Sequence, residues 1–274
     1  MQQLALEAND AKFEAQLLLQ NALKVNRAWL LAHELDQLTD NADFDALLAR
    51  RLLGEPIAYI LGCREFYGLN LSVTADTLIP RPDTETLVEV ALEKAPFDTS
   101  CAILDLGTGT GAIALAIAKH RPHAEVTAVD ASAAALRIAE QNAKQLGLVH
   151  VRFSLSHWFS ALEGERFNLI VSNPPYIEQG DSHLTQGDLR FEPMSALASG
   201  TDGLDDIREI IADSLTHLLP QGWLMLEHGY NQASLVTDLM AQNGLVDIST
   251  IKDLGGNDRV TIGKNPLIVS THWD

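Results

Sequence analysis

The tetrapeptide Asn173-Pro174-Pro175-Tyr176 contains the residue types needed to hold a flat –NH2 group. Proline fixes φ and removes an N–H donor, so the turn is stiff and presents carbonyl groups without competing donors. The residue before a proline favours an extended backbone, which directs the Asn173 side chain. Its side-chain carbonyl and the Pro174 backbone carbonyl can accept the two hydrogens of one amide or amino group, and the Tyr176 ring can face that group. We therefore predict Asn173, Pro174 and Tyr176 as catalytic residues, and Asn173, Pro174, Pro175 and Tyr176 as substrate-binding residues.

A glycine-rich turn lies upstream, in Asp105-Leu106-Gly107-Thr108-Gly109-Thr110-Gly111. Its glycines allow a tight turn and a close approach to a ligand. The G-x-G-x-G spacing differs from the G-x-G-x-x-G of dinucleotide dehydrogenases, and the turn lacks the lysine of a phosphate-binding P-loop. Asp130 ends the next predicted strand, where a carboxylate can accept both ribose hydroxyls of a nucleoside.

The charge of Asp105 indicates which nucleoside would bind. A carboxylate at the mouth of the turn would repel a pyrophosphate and attract an ammonium or a sulfonium. The turn therefore suits S-adenosylmethionine, whose product is S-adenosylhomocysteine, and in-line positioning supplies much of the rate of such a methyl transfer. The cofactor-binding residues that we expect from this turn, the next strand and the tetrapeptide are Asp105, Gly107, Thr108, Gly109, Thr110, Gly111, Asp130 and Asn173.

The elements that must position these residues alternate between strand and helix after Pro80-Arg81-Pro82. Strands are predicted at residues 102–105, 125–130, 167–172, 222–227, 245–251 and 259–263, with helices at residues 112–119, 132–146 and 206–218. Such alternation predicts an α/β fold with a mostly parallel sheet covered on both faces. If the strand that precedes the tetrapeptide lies beside the first strand, the tetrapeptide faces the glycine turn at the edge where ligands bind.

The first 60 or so residues have helical periodicity instead. Phe13, Leu17, Leu18 and Ala22 mark one apolar face, and Phe44, Leu47, Leu48 and Leu52 mark another. Two interpretations stay open for this part of the chain. It is either a helical cap that buries one face of the main domain or a module that recognises the substrate.

Composition excludes several classes of protein. The 274 residues include 19 Lys plus Arg and 37 Asp plus Glu, a net charge of −18, which disfavours a nucleic-acid partner. There is no long apolar segment and no signal-peptide pattern at the N-terminus, so we expect no membrane association. Cys63 and Cys101 are distant from each other and are expected to be reduced thiols in a cytoplasmic protein. No residue spacing is typical of a metal site, so none is expected.

Several segments together resemble the release-factor glutamine methyltransferases, the HemK/PrmC family. They are Gly54-Glu55-Pro56-Ile57-Ala58-Tyr59-Ile60-Leu61-Gly62, Phe66-Tyr67-Gly68, Ile79-Pro80-Arg81-Pro82-Asp83-Thr84-Glu85, residues 105–111, residues 173–176 and Asp258-Arg259-Val260. The resemblance implies a Rossmann-like class I methyltransferase with a seven-stranded, mostly parallel sheet, preceded by a small helical N-terminal domain. It implies substrate recognition by residues 1–64, an extended or hairpin linker at residues 65–84 and a methyltransferase domain at residues 85–274.

The same resemblance implies the reaction and its partner. The substrate would be the glutamine of the Gly-Gly-Gln loop in peptide chain release factors, and modification of its N5 amide nitrogen would modulate translation termination. Trp158 falls where the family has a tryptophan stacked near the adenine of the cofactor. The acidic residue that commonly precedes this tryptophan is His157 here, so an adenine contact from that position is in doubt. Pro82 would begin a helix, in whose first turn Glu85 favours the helix dipole. The family motif suggests that Arg81 and Glu85 also wall the cofactor pocket.

Three alternatives have the same local chemistry. A glutamine methyltransferase of a large-subunit ribosomal protein would look identical at these residues. A DNA adenine N6-methyltransferase could hold the adenine amine in the same tetrapeptide, although the net charge argues against it. A non-catalytic adaptor could keep the fold, although the intact glycine turn, Asp130 and tetrapeptide make that reading the weaker one.

Overall fold

Helices occupy the first part of the chain in the computed structural model, which describes residues 8–36 and 41–267. They are α1 (Ala8–Leu23), α2 (Arg27–Ala32), α3 (Ala42–Leu52) and α4 (Ile57–Leu61). Together with residues 185–191 they belong to one of two compact units. The predicted helical periodicity is confirmed, and Leu18 is fully buried, but Phe13 is half exposed. The expectation that the N-terminus is not a signal peptide concerns residues 1–10, of which residues 1–7 lie outside the described residues.

A buried arginine organises the helical unit. Arg51 is 5% exposed, and its guanidinium donates to both carboxylate oxygens of Glu14 at 2.7 and 3.0 Å. A third nitrogen contacts Asp188 at 3.1 Å. Because a buried cation must be paired with anions to offset its desolvation, these two carboxylates hold α1, α3 and residues 185–191 together.

The second unit comprises, among the described residues, 64–184 and 192–267. Its helices are α5 (Glu85–Lys94), α6 (Ala112–His120), α7 (Ala133–Leu146), α8 (Asp205–His217) and α9 (Ala233–Gln242). The hairpin strands β1 (Cys63–Phe66) and β2 (Leu69–Ser72) precede them, and a 3-10 turn, Pro82–Thr84, leads into α5. The large sheet contains β3 (Cys101–Leu106), β4 (Ala124–Asp130), β5 (Arg152–Leu155), β6 (Phe167–Ser172), β7 (Leu218–Glu227), β8 (Val246–Lys252) and β9 (Asp258–Lys264).

The seven strands lie in the order β5-β4-β3-β6-β7-β9-β8, and β9 alone runs antiparallel to its neighbours. Successive residues of β3 enter opposite cores, since Ile103 belongs to the cluster with α5 and α6 and Leu104 to the cluster with α8. Burial on both faces explains why the central strands are continuously apolar in sequence. The predicted seven-stranded, mostly parallel sheet is confirmed.

Two elements of this unit were not assigned from the sequence. Strand β5 has only four residues, Arg152–Leu155, at the sheet edge, and its burial pattern does not alternate. Helix α9, Ala233–Gln242, was also unassigned. Strand β7 begins at Leu218 rather than Gly222, with an irregular register opposite Phe167 and Leu169. Among the helices of the described residues, none combines the length and the apolar character needed to cross a bilayer.

Candidate active site

The glycine turn follows β3 directly. Gly107 has a φ of +70° and Gly111 a φ of +82°. Residues other than glycine rarely adopt such positive values of φ. A Cβ on Gly107 would lie 3.3 Å from the Trp158 ring, and one on Gly111 would lie 3.0 Å from Leu115. The turn therefore needs glycine both for its backbone and for its close packing.

Asp130, at the end of β4, stabilises the glycine turn through a hydrogen bond to its backbone. Its Oδ2 accepts a hydrogen bond from the Gly109 N–H and its Oδ1 from the Ser132 N–H, both at 2.8 Å. Burial raises the pKa of this carboxyl, and the two backbone donors oppose that rise. Each oxygen keeps a further lone pair, so the carboxylate can still accept hydroxyl donors from a ligand.

Asp105 lies beneath the turn rather than at its mouth, which corrects the expectation from the sequence. Its side chain is fully buried, with Oδ2 accepting from the Thr108 hydroxyl at 2.6 Å and the Ala114 N–H at 3.2 Å. Oδ1 is buried without a hydrogen bond from the described residues. Burial raises the pKa of Asp105 to about 7, against the lowering effect of these two donors.

Trp158 packs over the glycine turn in a strained backbone conformation. Its φ is +44°, which costs energy for a bulky residue and points to a local constraint. The Ser156 hydroxyl donates to the Trp158 carbonyl at 2.7 Å and accepts from the Ala161 N–H at 3.0 Å. The indole Nε1–H is buried and finds no acceptor in the part of the chain that the structure describes.

The tetrapeptide emerges beside the glycine turn because β6 and β3 are parallel neighbours. Leu106 and Ser172 are paired in register, so Gly107 and Asn173 follow at the same edge of the sheet. The Asn173 amide nitrogen donates to the Thr84 hydroxyl at 3.1 Å. This bond leaves the amide oxygen of Asn173 as its free acceptor. The condition set from the sequence, that the two strands be neighbours, is thus met.

Tyr176 is held away from the tetrapeptide's open side. Its hydroxyl donates to Glu227 Oε1 at 3.2 Å, and its backbone carbonyl accepts from the Gln232 side chain at 3.0 Å. Burial raises the pKa of Tyr176 far above its usual value, and the Glu227 charge adds to the rise. The ring packs against the apolar cluster that contains Leu204 and Leu226.

A cavity of about 610 Å³ opens at this edge of the sheet, a size typical of sites for small organic ligands. It is lined by six of the predicted site residues, namely Gly107, Gly109, Asp130, Trp158, Asn173 and Pro175. The other predicted residues, which do not line it, are Asp105, Thr108, Thr110, Gly111, Pro174 and Tyr176. The side chains of Thr108 and Tyr176 bond inward, and Gly111 packs on α6, so any role of theirs is in shaping the wall.

The lining also includes residues that the sequence analysis missed. They are Ala75, Asp76, Thr77, Leu78, Ala131, Ser132, Ala135, Ser156, Pro193, Ser195, Ala196, Ala198 and Asp206. The segment from Pro193 is anchored by the buried Glu192, which pairs with Arg81 and accepts from the Ile79 N–H at 3.0 Å. No local sequence pattern marks this anchor, because the partners of Glu192 lie more than 100 residues away in the chain.

Arg81 and Glu85 do not line the cavity, contrary to the suggestion that they wall it. Glu85 accepts from the Tyr67 N–H at 2.9 Å. His157 does line it, and its ring contacts Glu209 at 3.2 Å. Arg81 and Glu85 therefore hold neighbouring loops in place, and of these three residues His157 alone lies at the cavity wall.

The charge of the cavity fits S-adenosylmethionine. Asp76, Asp130 and Asp206 line it, and no lysine or arginine of the described residues does. Carboxylates without a basic counterpart favour a ligand with an ammonium and a sulfonium over a polyphosphate. Gly109 and Trp158 both line the cavity, and a Cβ on Gly109 would meet nothing within 4 Å, so this wall leaves room for a flat base and an amino-acid chain.

Comparison with known proteins places this geometry in context. Two family models match, the methyltransferase small domain over residues 82–191 and the PrmC N-terminal domain over residues 2–62. The release factor glutamine methyltransferase of Xylella fastidiosa (strain Temecula1) is 52% identical over 257 residues, which cover 93% of this chain and 94% of that protein. The Escherichia coli (strain K12) protein of the same name is 48% identical over 262 residues, covering 94% of each.

Among solved structures, the 16S rRNA N2 G1207 methyltransferase of Thermus thermophilus, in complex with AdoMet and guanosine, is 20% identical with a TM-score of 0.54. The match covers 74% of this chain and 49% of that one. At this identity the likeness shows a shared methyltransferase fold, which agrees with the fold class expected from the sequence.

Proposed function

Because the chain belongs to the release factor glutamine methyltransferase family, we propose that this S-adenosylmethionine-dependent enzyme methylates the N5 amide nitrogen of the glutamine in the Gly-Gly-Gln motif of peptide chain release factors. The observation that carries the proposal is the placement of Asn173, which lines the cavity next to the glycine turn. Its amide nitrogen donates a hydrogen bond to Thr84, which leaves the amide oxygen for the substrate. Such modification of a release factor would modulate translation termination.

The protein's task in this reaction is to hold and orient a planar amide. The Asn173 side-chain carbonyl would accept one N–H group of the substrate amide, and the backbone carbonyl of Pro174, a residue that does not itself line the cavity, would accept the other. Those bonds aim the nitrogen lone pair out of the amide plane and increase its electron density. Fixed orientation of this kind converts binding energy into rate, because the reacting atoms are already in line.

S-adenosylmethionine, when bound, would supply a methyl group carried on a sulfonium. The methyl carbon would form its bond to the amide nitrogen as its bond to sulfur breaks, the electron pair would stay on sulfur as S-adenosylhomocysteine, and the surplus proton on nitrogen would pass to water. Asp130 would accept the ribose hydroxyls of the cofactor, Trp158 would cover its adenine, and the backbone of Gly107 and Gly109 would accommodate its amino-acid part. Asp105 and Thr108, which bond to each other beneath the turn, shape it together with Thr110 and Gly111.

The substrate-recognition role is assigned to the helical part of the chain. We divide the chain into a recognition domain at residues 1–64, a linker at residues 65–84 and a methyltransferase domain at residues 85–274. The family model for the PrmC N-terminal domain, over residues 2–62, supports this division. Release factors are cytoplasmic proteins, so the enzyme would act in the cytoplasm, and its net charge of −18 disfavours nucleic acid as the substrate.

The test is transfer of a labelled methyl group to purified proteins. We expect label on a release factor and none on a large-subunit ribosomal protein or on duplex DNA presented at the same concentration. A release factor whose Gly-Gly-Gln glutamine is replaced by alanine is the matched control and should take up no label. Label on the ribosomal protein or the DNA, with none on the release factor, would overturn the proposal.

A further inference from the structure

The Thr84 hydroxyl lies between Asn173 and a second buried polar residue, Glu227. It accepts a hydrogen bond from the Asn173 amide nitrogen at 3.1 Å, and it lowers the pKa of the neighbouring Glu227 carboxyl, whose Oε2 is buried without a hydrogen-bond partner among the described residues. Thr84 is 4% exposed and Glu227 is 1% exposed. The chain of contacts therefore connects the tetrapeptide to a carboxylate buried at the end of β7.

Glu227 is surrounded on three sides. The Tyr176 hydroxyl donates to its Oε1 at 3.2 Å, and Asp83 and Arg259 act on it through their charges. Arg259, on β9, itself pairs with Asp83 at 3.2 Å. Burial raises the pKa of Glu227 to about 7, while the Thr84 and Tyr176 hydroxyls and the Arg259 charge oppose that rise.

A hydroxyl has only one hydrogen to donate, and this fixes the direction of the chain of hydrogen bonds. An ionised carboxylate attracts hydroxyl hydrogens and has none to donate, so we infer that the Thr84 hydroxyl directs its hydrogen towards Glu227. The Thr84 oxygen is then an acceptor towards Asn173, and the atom of the Asn173 amide that faces it must be the nitrogen. The opposite end of the amide, the carbonyl oxygen, is left for the substrate.

We propose that Glu227, acting through Thr84, is a positioning residue that holds the Asn173 amide with its carbonyl towards the substrate nitrogen. The inference rests on the proposed methylation of a glutamine amide at Asn173. With its oxygen towards the substrate, the Asn173 amide can accept an N–H of the substrate glutamine. The reversed orientation would present an NH2 group to an NH2 group, which excludes the productive hydrogen bond.

Protonation of Glu227 removes this control. A protonated carboxyl can donate to Thr84, and the Thr84 hydrogen is then free to point at Asn173, which stabilises the reversed amide. Replacing Glu227 by glutamine should have the same effect at every pH. The glutamine oxygen would still accept the hydrogen bond from Tyr176, so its NH2 group would face Thr84. The ionised form is the active one, so turnover should rise with pH through about 7 in the wild-type enzyme.

The kinetic test uses substitutions that remove one hydrogen-bonding role at a time. We expect Glu227→Gln to lower kcat about tenfold, the value of one reversed hydrogen bond, and to flatten the pH profile of kcat. Thr84→Val should lower kcat to a similar degree, and Thr84→Ser should restore it. The double variant Thr84→Val/Glu227→Gln should be no slower than Thr84→Val alone, because Glu227 acts only through Thr84.

Thr86→Val is the matched control, a buried threonine two positions further along, in α5, and outside the site. It should keep kcat and the pH profile. Additive losses in the double variant, or an unchanged pH profile in Glu227→Gln, would overturn the proposal, since a merely structural role predicts both.

A second measurement needs no protein substrate and so separates this inference from the proposed function. The side-chain amide signals of Asn173 can be followed by NMR in isotope-labelled enzyme and assigned by their loss in Asn173→Asp. We expect them to shift with pH through the titration of Glu227 in the wild type and to be insensitive to pH in Glu227→Gln and Thr84→Val. Signals that titrate identically in all three proteins would refute the inference, whether or not a release factor is methylated.

Discussion

The Ser172 hydroxyl donates a hydrogen bond to the backbone carbonyl of Leu106 at 2.8 Å. These two residues are the last of β6 and β3, and they are paired in register. The bond therefore joins the two strand ends immediately before the chain diverges into the glycine turn on one side and the tetrapeptide on the other. We infer that the relative placement of the glycine turn and the tetrapeptide depends on this contact.

Replacing Ser172 with alanine tests that dependence. The Leu106 carbonyl would lose a buried partner, and we expect the free energy of unfolding to fall by about 1 to 2 kcal/mol. We also expect kcat/KM to fall further than this stability loss accounts for, because the two site elements would be less well aligned. Denaturant unfolding and steady-state kinetics measure the two effects. Ser214→Ala, which removes another buried hydroxyl bonded to a backbone carbonyl, should cost stability alone; equal kinetic losses in both variants would contradict the account.

Removing the Asn173 side chain should impair turnover more than cofactor binding. We expect Asn173→Ala to lower kcat by about 100-fold or more, since it deletes a preorganised contact to the reacting group. The dissociation constant of S-adenosylmethionine, measured by calorimetry, should change far less. Asn243→Ala, on the C-terminal end of α9, is a control that should leave both quantities unaltered. A variant with normal kcat would show that the amide is held elsewhere.

Gly107 can be compared with a glycine in the same backbone region but away from the cavity. Gly107→Ala and Gly164→Ala both place a side chain at a positive φ, +70° and +75° respectively, and each should cost about 1 to 2 kcal/mol of stability. Only the Gly107 variant adds a Cβ against the Trp158 ring, at 3.3 Å. Its affinity for S-adenosylmethionine should drop at least about tenfold by calorimetry, because the wall of the cavity is displaced. Equal affinities in the two variants would rule out the assigned cofactor site.

Asp105 should make the stability of the protein depend on pH. Its pKa is raised to about 7 in the folded state, so between the unfolded value and 7 the folded protein holds a proton that the unfolded chain has lost. The free energy of unfolding then falls as pH rises through this window and levels off above it. Asp105→Asn should lack that component, so its stability relative to wild type should increase by at least about 1 kcal/mol between pH 5 and pH 8. The exposed Asp98→Asn is the control; a pH-independent difference for Asp105→Asn would contradict the burial of an ionisable group there.

Sequence patterns predicted the central sheet because the residues of β3 and β6 are buried on both faces, which forces continuous apolar runs. They failed for β5, since Arg152 to Leu155 lies at the edge of the sheet and carries no such pattern. Tertiary pairing with β4, rather than local preference, makes that segment a strand.

The same distinction applies to the site. Gly107, Asp130 and Asn173 could be placed from the sequence because the ends of parallel strands meet at one edge of the sheet. The depth of Asp105 could not, because it depends on the Thr108 and Ala114 donors that close over it. The contribution of Glu192 was also hidden, as its partners Ile79 and Arg81 are more than 100 residues away in the chain.

The most direct test of the central claim is to locate the transferred methyl group by mass spectrometry of a release factor peptide. After incubation with the enzyme and S-adenosylmethionine, the Gly-Gly-Gln peptide should gain the mass of one methyl group, with fragmentation assigning it to the side-chain amide nitrogen of the glutamine. The Asn173→Ala enzyme should leave the same peptide unmodified over the same time. A methyl group on any other residue or atom, or an unmodified peptide with the wild-type enzyme, would contradict the account.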